Sequence, residues 1–220
     1  MKEINREAVK AQIVNVLADL KNLAALYMRG EREAAKMEAN AAFARTYRDA
    51  EIKRIRDQQA GEAEKVFGEL RAHFGRMVEA MQENDKVYDF SSPDFVSCIT
   101  LLTAAEHPLP LETITGICEK FAGNRQALLA LAEVAKERNQ ETFRKRIFNT
   151  EARTTNLIDK IDDLEVGFPK SVLMIPELKN SFVEMARMCG VELDETETDL
   201  GTDYQEIVTA QMRAVMGLPN

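Results

Sequence analysis

The sequence predicts an all-α protein with a long N-terminal helical arm, either a coiled coil or a hairpin, followed by a small multi-helix domain. Glycine and proline together occupy only 16 of 220 positions, far below their share in linkers or collagen. Trp is absent and aromatic residues make up 6% of the chain, whereas Ala, Leu, Glu and Met are abundant, which favours helices over strands. Every apolar stripe has helical spacing and none alternates.

A heptad seam begins the arm, with apolar residues at alternating steps of four and three from Val9 to Ala44. The seam passes through Gly30 in register, which favours a continuous helix there, although glycine costs about 1 kcal/mol relative to alanine and is common where helices end. We predict that the large members of the seam mediate self-association. These residues are Val9, Ile13, Val16, Leu20, Leu23, Tyr27 and Met37.

A second apolar stripe runs from Ala63 to Met81, and three glycines recur beside it every seven residues, at Gly61, Gly68 and Gly75. Glycines on one helix face either let another backbone come close or mark a face that packs on nothing. The sequence leaves both interpretations open.

The length of the arm limits how it can fold. One helix from about Ile4 to Met81 would be roughly 115 Å long, whereas a compact chain of this size has a diameter of about 45 Å. The arm therefore either breaks into a hairpin, near Gly30 or Gly61, or projects and buries its seam against another copy. An ordinary compact bundle stays open as an alternative, because bundle helices show the same heptad pattern.

The charge distribution predicts a domain boundary at residues 84–90. Residues 1–85 contain 15 Lys or Arg and 15 Asp or Glu, so the net charge of −8 lies in the remainder. Balanced, dense charge is typical of exposed helices. We therefore assign residues 1–85 to a self-associating arm and residues 86–220 to a compact helical domain.

Caps and breakers predict the helices of the second domain. Ser92 and Asn124 are expected N-caps, Asn139 is expected to end a helix, and Thr202 with Gln205 resembles a capping box. The predicted helices cover about 93–106, 111–121, 125–138, 140–164, 176–190 and 203–216. In the first helix, Phe95, Val96, Ile99 and Leu102 are expected to face inward. In the last, the inward residues are expected to be Tyr204, Ile207, Val208, Met212 and Val215.

Three segments of this domain, Asp89–Pro93, Leu109–Ile114 and Phe121–Leu128, are similar to stretches in uncharacterised helical proteins of phage and prophage structural gene regions. The likeness covers about 50 residues and consists of cap and turn residues. The resemblance implies a role in virion assembly or in an associated scaffold. It brings no known active site with it.

The sequence contains no signature of catalysis, metal binding or phosphate binding. The two histidines, His73 and His107, occur in neither a His-Glu-x-x-His nor a Glu-x-x-His motif, and Cys98, His107 and Cys118 match no zinc spacing. Gly-x-Gly-x-x-Gly and Gly-x-x-x-x-Gly-Lys are absent. We therefore assign no catalytic residue, metal ligand or cofactor, and expect a protein that is not an enzyme.

An alternative function is a nucleic-acid-linked regulator that uses a helix-turn-helix-like unit at residues 111–138, with Gly123 at the turn. The second helix of this unit offers Arg125 and Gln126 and then runs apolar, whereas a recognition helix presents polar and basic side chains. The net charge of −8 also disfavours phosphate contacts. Nucleic acid is therefore not an expected partner.

The acidic stretch at residues 192–206 lacks EF-hand spacing, and we interpret it as a solvated loop before a capped helix.

The charged start and the lack of an apolar run of roughly 18 residues predict a cytoplasmic protein without a membrane anchor. Three cysteines cannot pair fully, which fits a reducing compartment. The leading hypothesis is a noncatalytic helical assembly protein that forms homo-oligomers through its arm and binds other proteins not yet identified.

Overall fold

The computed structural model describes residues 6–83, 88–122 and 124–216, without the side chains of residues 82, 83, 148–151, 211, 214 and 215. Helices make up 82% of the structure and no strand occurs in these ranges, which confirms the all-α prediction. A 3₁₀ turn at Val172–Met174 precedes α7. The α-helices are α1 (Arg6–Glu38), α2 (Arg45–Glu83), α3 (Pro93–Ala104), α4 (Leu111–Lys120), α5 (Arg125–Val134), α6 (Glu137–Gly167), α7 (Ile175–Met188), α8 (Glu195–Thr198) and α9 (Gly201–Val215).

Helices α1 and α2 pair antiparallel as a hairpin. His73 Nδ1 lies 2.7 Å from Asp19 Oδ2, and the Gln59 amide donates to the carbonyl of Tyr27 at 3.1 Å. The prediction of a long N-terminal hairpin is thus confirmed, but its break near Gly30 or Gly61 is wrong. Both glycines lie inside helices, and the chain turns at residues 39–44.

Polar side chains close this turn. The Asn40 side chain accepts a hydrogen bond from the backbone N–H of Ala42 at 3.1 Å, an arrangement that competes with helical hydrogen bonding. The Arg48 guanidinium donates to the carbonyls of Glu38 at 3.0 Å and Asn40 at 3.5 Å, which would otherwise be unpaired at the helix end. The sequence did not predict a turn here, because four of residues 39–44 are alanine, the residue with the highest helix propensity.

The heptad seam lies largely in the interior of this one chain. Tyr27 and Met37 are half-buried, and the other predicted self-association residues are buried. The latter are Val9, Ile13, Val16, Leu20 and Leu23. The exposed seam that motivated self-association through the arm is therefore not found, although self-association itself stays a prediction.

The glycines of α2 have a clearer outcome. A Cβ atom built at Gly61, Gly68 or Gly75 would meet no heavy atom within 4 Å. Of the two interpretations, the structure supports a helix face that packs on nothing within the described residues.

The chain divides into two compact units. Unit 1 comprises Met1–Ile13, Gly75–Asn156 and Val183–Leu193, and unit 2 comprises Val14–Phe74, Leu157–Phe182 and Asp194–Asn220. This division differs from a single boundary at residues 84–90, because α1, α2, α6 and α7 each contribute to both units. Residues 84–87 of the predicted boundary lie outside the described residues.

The core of unit 1 is formed by α3, α4, α5 and the first half of α6. Its largest side chains include Phe95, Leu102, Ile114, Leu131 and Phe143. The predicted caps are confirmed: Ser92 Oγ accepts from the Phe95 N–H and Asn124 Oδ1 accepts from the Ala127 N–H. The prediction that Asn139 ends a helix is wrong. Asn139 is buried in the first turn of α6.

Unit 2 contains the hairpin from Val14 to Phe74, the second half of α6, and the whole of α9. Edge-to-face ring pairs join Phe67 to Phe168 and Phe74 to Phe182. The capping box predicted at Thr202 is wrong, since this residue lies inside α9. A capping box occurs instead at Asp194 and Glu197, where it begins the single turn of α8 within the acidic stretch.

Candidate functional site

Two apolar side chains that the helical pattern placed inward are exposed instead. Val96 on α3 is 49% exposed and Met212 on α9 is 59% exposed, so both expectations are wrong. Scattered exposed apolar residues are normal, but these two have exposed neighbours of the same kind. Val96 belongs to a candidate interaction surface in unit 1, and Met212 lies on α9, the helix that borders a second candidate surface in unit 2.

The α3 surface consists of exposed residues on one side of α3. Val96 and Leu101, which is 45% exposed, provide its large apolar side chains. Asp94 is the one charged residue among the twelve of this helix, whereas 30% of the whole chain is charged. The exposed residues on this side are Pro93, Asp94, Val96, Ser97, Thr100, Leu101, Thr103 and Ala104. The Asp94 carboxylate pairs with Lys120 at 2.8 Å.

The hydroxyl groups of the α3 surface bond to the helix itself. Ser97 Oγ donates to the carbonyl of Pro93 at 2.6 Å, and Thr100 Oγ1 donates to that of Val96 at 2.8 Å. Thr103 Oγ1 donates in the same way to the carbonyl four residues before it. Since a buried polar group is costly only when it lacks a partner, another surface could cover this one without leaving a hydroxyl proton unpaired.

The α9 groove is a cavity of about 750 Å³ in unit 2, bounded by α1, the 3₁₀ turn and α9. Met28, Leu173, Ile207 and Ala210 supply apolar lining. Tyr27, the last large residue of the predicted seam before Met37, also lines the groove, and partial burial raises the pKa of its hydroxyl. The volume lies in the range of ordinary ligand pockets, and it also suits side chains projecting from another helix.

Charges of both signs line the α9 groove. Glu31 and Glu206 are acidic and Arg213 is basic. Arg32 donates to Asp203 at 2.7 Å and to Glu206 at 2.9 Å, yet the Glu206 side chain stays 53% exposed. Among the described residues, Arg213 has no carboxylate partner.

Buried Asp19 and half-buried His73 form a polar pair that the sequence pattern did not indicate. Asp19 is 4% exposed although it lies among apolar seam residues of α1. Its side chain contacts the His73 ring from α2, and charged residues are almost never fully buried unless paired. The sequence feature that could have indicated this pair is the position of Asp19, a carboxylate within an apolar heptad run. The pair helps to fix the register of the hairpin.

The cysteines do not have the properties of reactive thiols. Cys98 is half-buried, and burial raises the pKa values of Cys118 and Cys189 to about 11, whereas reactive thiols have lowered pKa values. No group of three or more His, Cys, Asp or Glu residues in the described ranges is arranged to hold a metal ion. Cys98, His107 and Cys118 are therefore not brought together as ligands.

The helix-turn-helix-like unit corresponds to α4 and α5. Asn124 precedes α5, and Arg125 and Gln126 are exposed in its first turn. Leu128 and Leu131 are buried in the core of unit 1, so the apolar side of the second helix packs internally. The expected turn residue, Gly123, lies outside the described residues.

The acidic stretch is held by contacts within the chain. Asp194 caps α8, Asp199 accepts a hydrogen bond from the backbone of Gly201 at 2.8 Å, and Asp203 bonds to Arg32. These carboxylates therefore have structural roles in the turn of α8 and at the start of α9.

In the parts of the chain that the structure describes, no helix combines the length and the apolar character needed to cross a bilayer. The fold is that of an all-α protein with two exposed helical surfaces. The chain matches no protein-family model, and comparisons with curated proteins and with solved structures found no match either.

Proposed function

We propose that this protein is a noncatalytic helical assembly protein whose copies associate through the α3 surface. The observation that supports the proposal is the composition of that surface, which exposes Val96 and Leu101 and carries one charged side chain, Asp94, whose carboxylate pairs with Lys120 at 2.8 Å. Fully burying a side chain of this size is worth roughly 1.5–3 kcal/mol, and each is about half exposed. Association would recover the remaining part of that free energy.

A second copy of the chain is the partner that the charge of the α3 surface favours. Copies with a net charge of −8 repel one another, so two of them meet with little repulsion at a face whose single carboxylate, Asp94, is paired with Lys120. A two-fold axis would place the same patch on both sides. The satisfied hydroxyls of Ser97, Thr100 and Thr103 add no desolvation cost for an unpaired donor.

The size of the α3 surface predicts weak association. Twelve residues of helix span about 18 Å, which is too short to supply the roughly 800 Å² per partner of a standard interface. We therefore expect association in the micromolar range, unless a second surface contributes.

The resemblance of residues 89–128 supports the same class of function, because this range contains α3, α4 and the start of α5. We propose virion assembly, or a scaffold associated with it, as the biological setting. Capsid, portal or tail genes beside the gene for this protein are the expected genomic context. A neighbourhood of metabolic genes would contradict this setting without affecting the self-association proposal.

The test is sedimentation equilibrium at micromolar concentrations on the intact chain and on Val96→Glu/Leu101→Glu. Both side chains are exposed, so the variant should keep the helicity of the parent while its average mass falls. Ile158→Glu/Val166→Glu is the matched control, since these residues are also exposed apolar positions but lie on α6, and its mass should not change. A monomeric parent, or an equal effect of both variants, would contradict the proposal.

A further inference from the structure

The α9 groove has opposite charges placed so that two identical grooves, facing each other, would bring unlike charges together. Glu206 and Arg213 both line the groove and lie seven residues apart on α9, which corresponds to about 10.5 Å along one face of the helix. Thr209 and Ala210, the two residues at the midpoint between them, also line the groove and are exposed.

Opposite charges at equal distances from a midpoint suit an antiparallel pair of identical helices. When Glu206 lies opposite the partner's Arg213, a two-fold axis necessarily places Arg213 opposite the partner's Glu206. The axis then passes between Thr209 and Ala210. Small side chains at that point let the helices approach to the 8–10 Å interaxial distance of packed helices.

We propose that the α9 groove binds α9 of a second copy of this chain, antiparallel and in the register that pairs Glu206 with the partner's Arg213. The inference extends the self-association in the proposed function to a second surface, and it adds two reciprocal ion pairs as the feature that sets register.

The surroundings of the two charged residues support this occupant. Arg213 has no carboxylate partner among the described residues, so an incoming carboxylate displaces no existing ion pair. Glu206 is half exposed beside its contact with Arg32, and Glu31 adds a second carboxylate to the groove. The partner's Arg213 therefore enters an acidic environment.

Apolar contacts accompany the charges. The groove lining includes Met28 and Leu173, and the exposed face of α9 continues to Met212 and Met216, which is 63% exposed. Methionine side chains are flexible and adapt to another surface. Each copy thus brings apolar side chains to the groove of the other.

Two self-complementary surfaces on one chain have a consequence for assembly. Each surface joins one pair of copies, so a chain that uses both the α3 surface and the α9 groove can grow beyond a dimer. Disabling either surface alone should leave a dimer, and disabling both should leave a monomer.

The test uses charge reversal in the full chain, in the Val96→Glu/Leu101→Glu background where only the α9 contact remains. Glu206→Arg places two Arg–Arg pairs in the contact, and Arg213→Glu places two Glu–Glu pairs there. Since like charges across an interface are strongly unfavourable, we expect each variant alone to associate at least about tenfold more weakly in sedimentation equilibrium. Mixing the two variants should restore association, because every pair in the mixed dimer is then opposite in charge.

Glu64→Arg is the control for net charge, since Glu64 is exposed on α2 outside the groove and its reversal changes the total charge as Glu206→Arg does. Circular dichroism verifies that each variant keeps its helices. Failure of the mixture to associate, or an equal loss in Glu64→Arg, would overturn the inference. If the α3 variant keeps its full oligomeric mass while the charge reversals lower it, the proposed α3 contact fails and the α9 contact stands.

Discussion

Gly30→Ala is expected to have two opposite effects on stability, because Gly30 lies against the side chain of Gln59. A Cβ atom at position 30 would lie 2.6 Å from Cδ of Gln59 and 2.7 Å from both polar atoms of its amide. Gln59 is buried, and its amide nitrogen donates to the carbonyls of Leu26 at 3.3 Å and Tyr27 at 3.1 Å. The side chain can move away from the added methyl group only by leaving these partners.

The expected result of Gly30→Ala follows from the sizes of these effects. Alanine gains about 1 kcal/mol over glycine within a helix. Against this, overpacking costs about 1–3 kcal/mol, and each lost hydrogen bond costs a further 0.5–1.5 kcal/mol or so. With two hydrogen bonds at stake, we expect a net loss of about 1–5 kcal/mol in the free energy of unfolding.

Two glycines of α2 provide matched controls. Gly61 and Gly68 are exposed in mid-helix, and a Cβ atom there meets nothing within 4 Å. Gly61→Ala and Gly68→Ala should each stabilise the protein by about 0.5–1 kcal/mol. The same Gly→Ala change is therefore expected to lower the free energy of unfolding at position 30 and to raise it at positions 61 and 68.

Urea unfolding followed by circular dichroism measures these differences as shifts in midpoint at constant m-value. In a Gln59→Ala background the obstructing amide is absent, so Gly30→Ala should no longer destabilise the protein. A Gly30→Ala variant at least as stable as the parent, or an unchanged loss in that background, would refute the reasoning.

Three further perturbations have defined outcomes. His73→Ala leaves the buried Asp19 carboxyl one partner short and should cost about 1–3 kcal/mol in urea unfolding. Leu20→Glu puts a charge at a position with 0% exposure, so it should lower unfolding stability by more than about 3 kcal/mol instead of releasing a folded monomer. Burial raises the pKa values of the Cys118 and Cys189 thiols from 9.0 to about 11, so their contribution to stability is complete below pH 9 and is lost between pH 9 and 11. Alanine at both positions should flatten the stability profile over that interval.

Each of these outcomes has a contradicting result. An unchanged urea midpoint for His73→Ala would show that the polar pair is energetically neutral. A folded Leu20→Glu monomer would return the seam to the role of an intermolecular contact. Parallel alkaline profiles for the parent and the cysteine variant would show that other groups, such as tyrosines, account for the entire loss.

The helices were predictable because their signals are local. Ser92 and Asn124 cap α3 and α5 as expected, since a cap depends on residues within one turn. The end of α1 was not predictable, because the turn at residues 39–44 depends on Arg48 reaching back to the carbonyl of Glu38 across ten positions. No helical propensity encodes that contact.

The candidate surfaces were less predictable than the helices. Helical spacing identifies Val96 and Met212 as apolar positions, but whether such a position is covered depends on which neighbours pack there. The same limit applies to the seam, whose pattern is identical for contacts within one chain and between chains. Pairing with α2 brought Asp19 beside His73, which only the folded hairpin reveals.

The mass of the intact chain in solution tests self-association most directly. Sedimentation equilibrium across the micromolar range should give an average mass above the 24.8 kDa of one chain, rising with concentration and falling towards that value on dilution. A single species of 24.8 kDa at every concentration would contradict both proposed contacts and, with them, the assembly function.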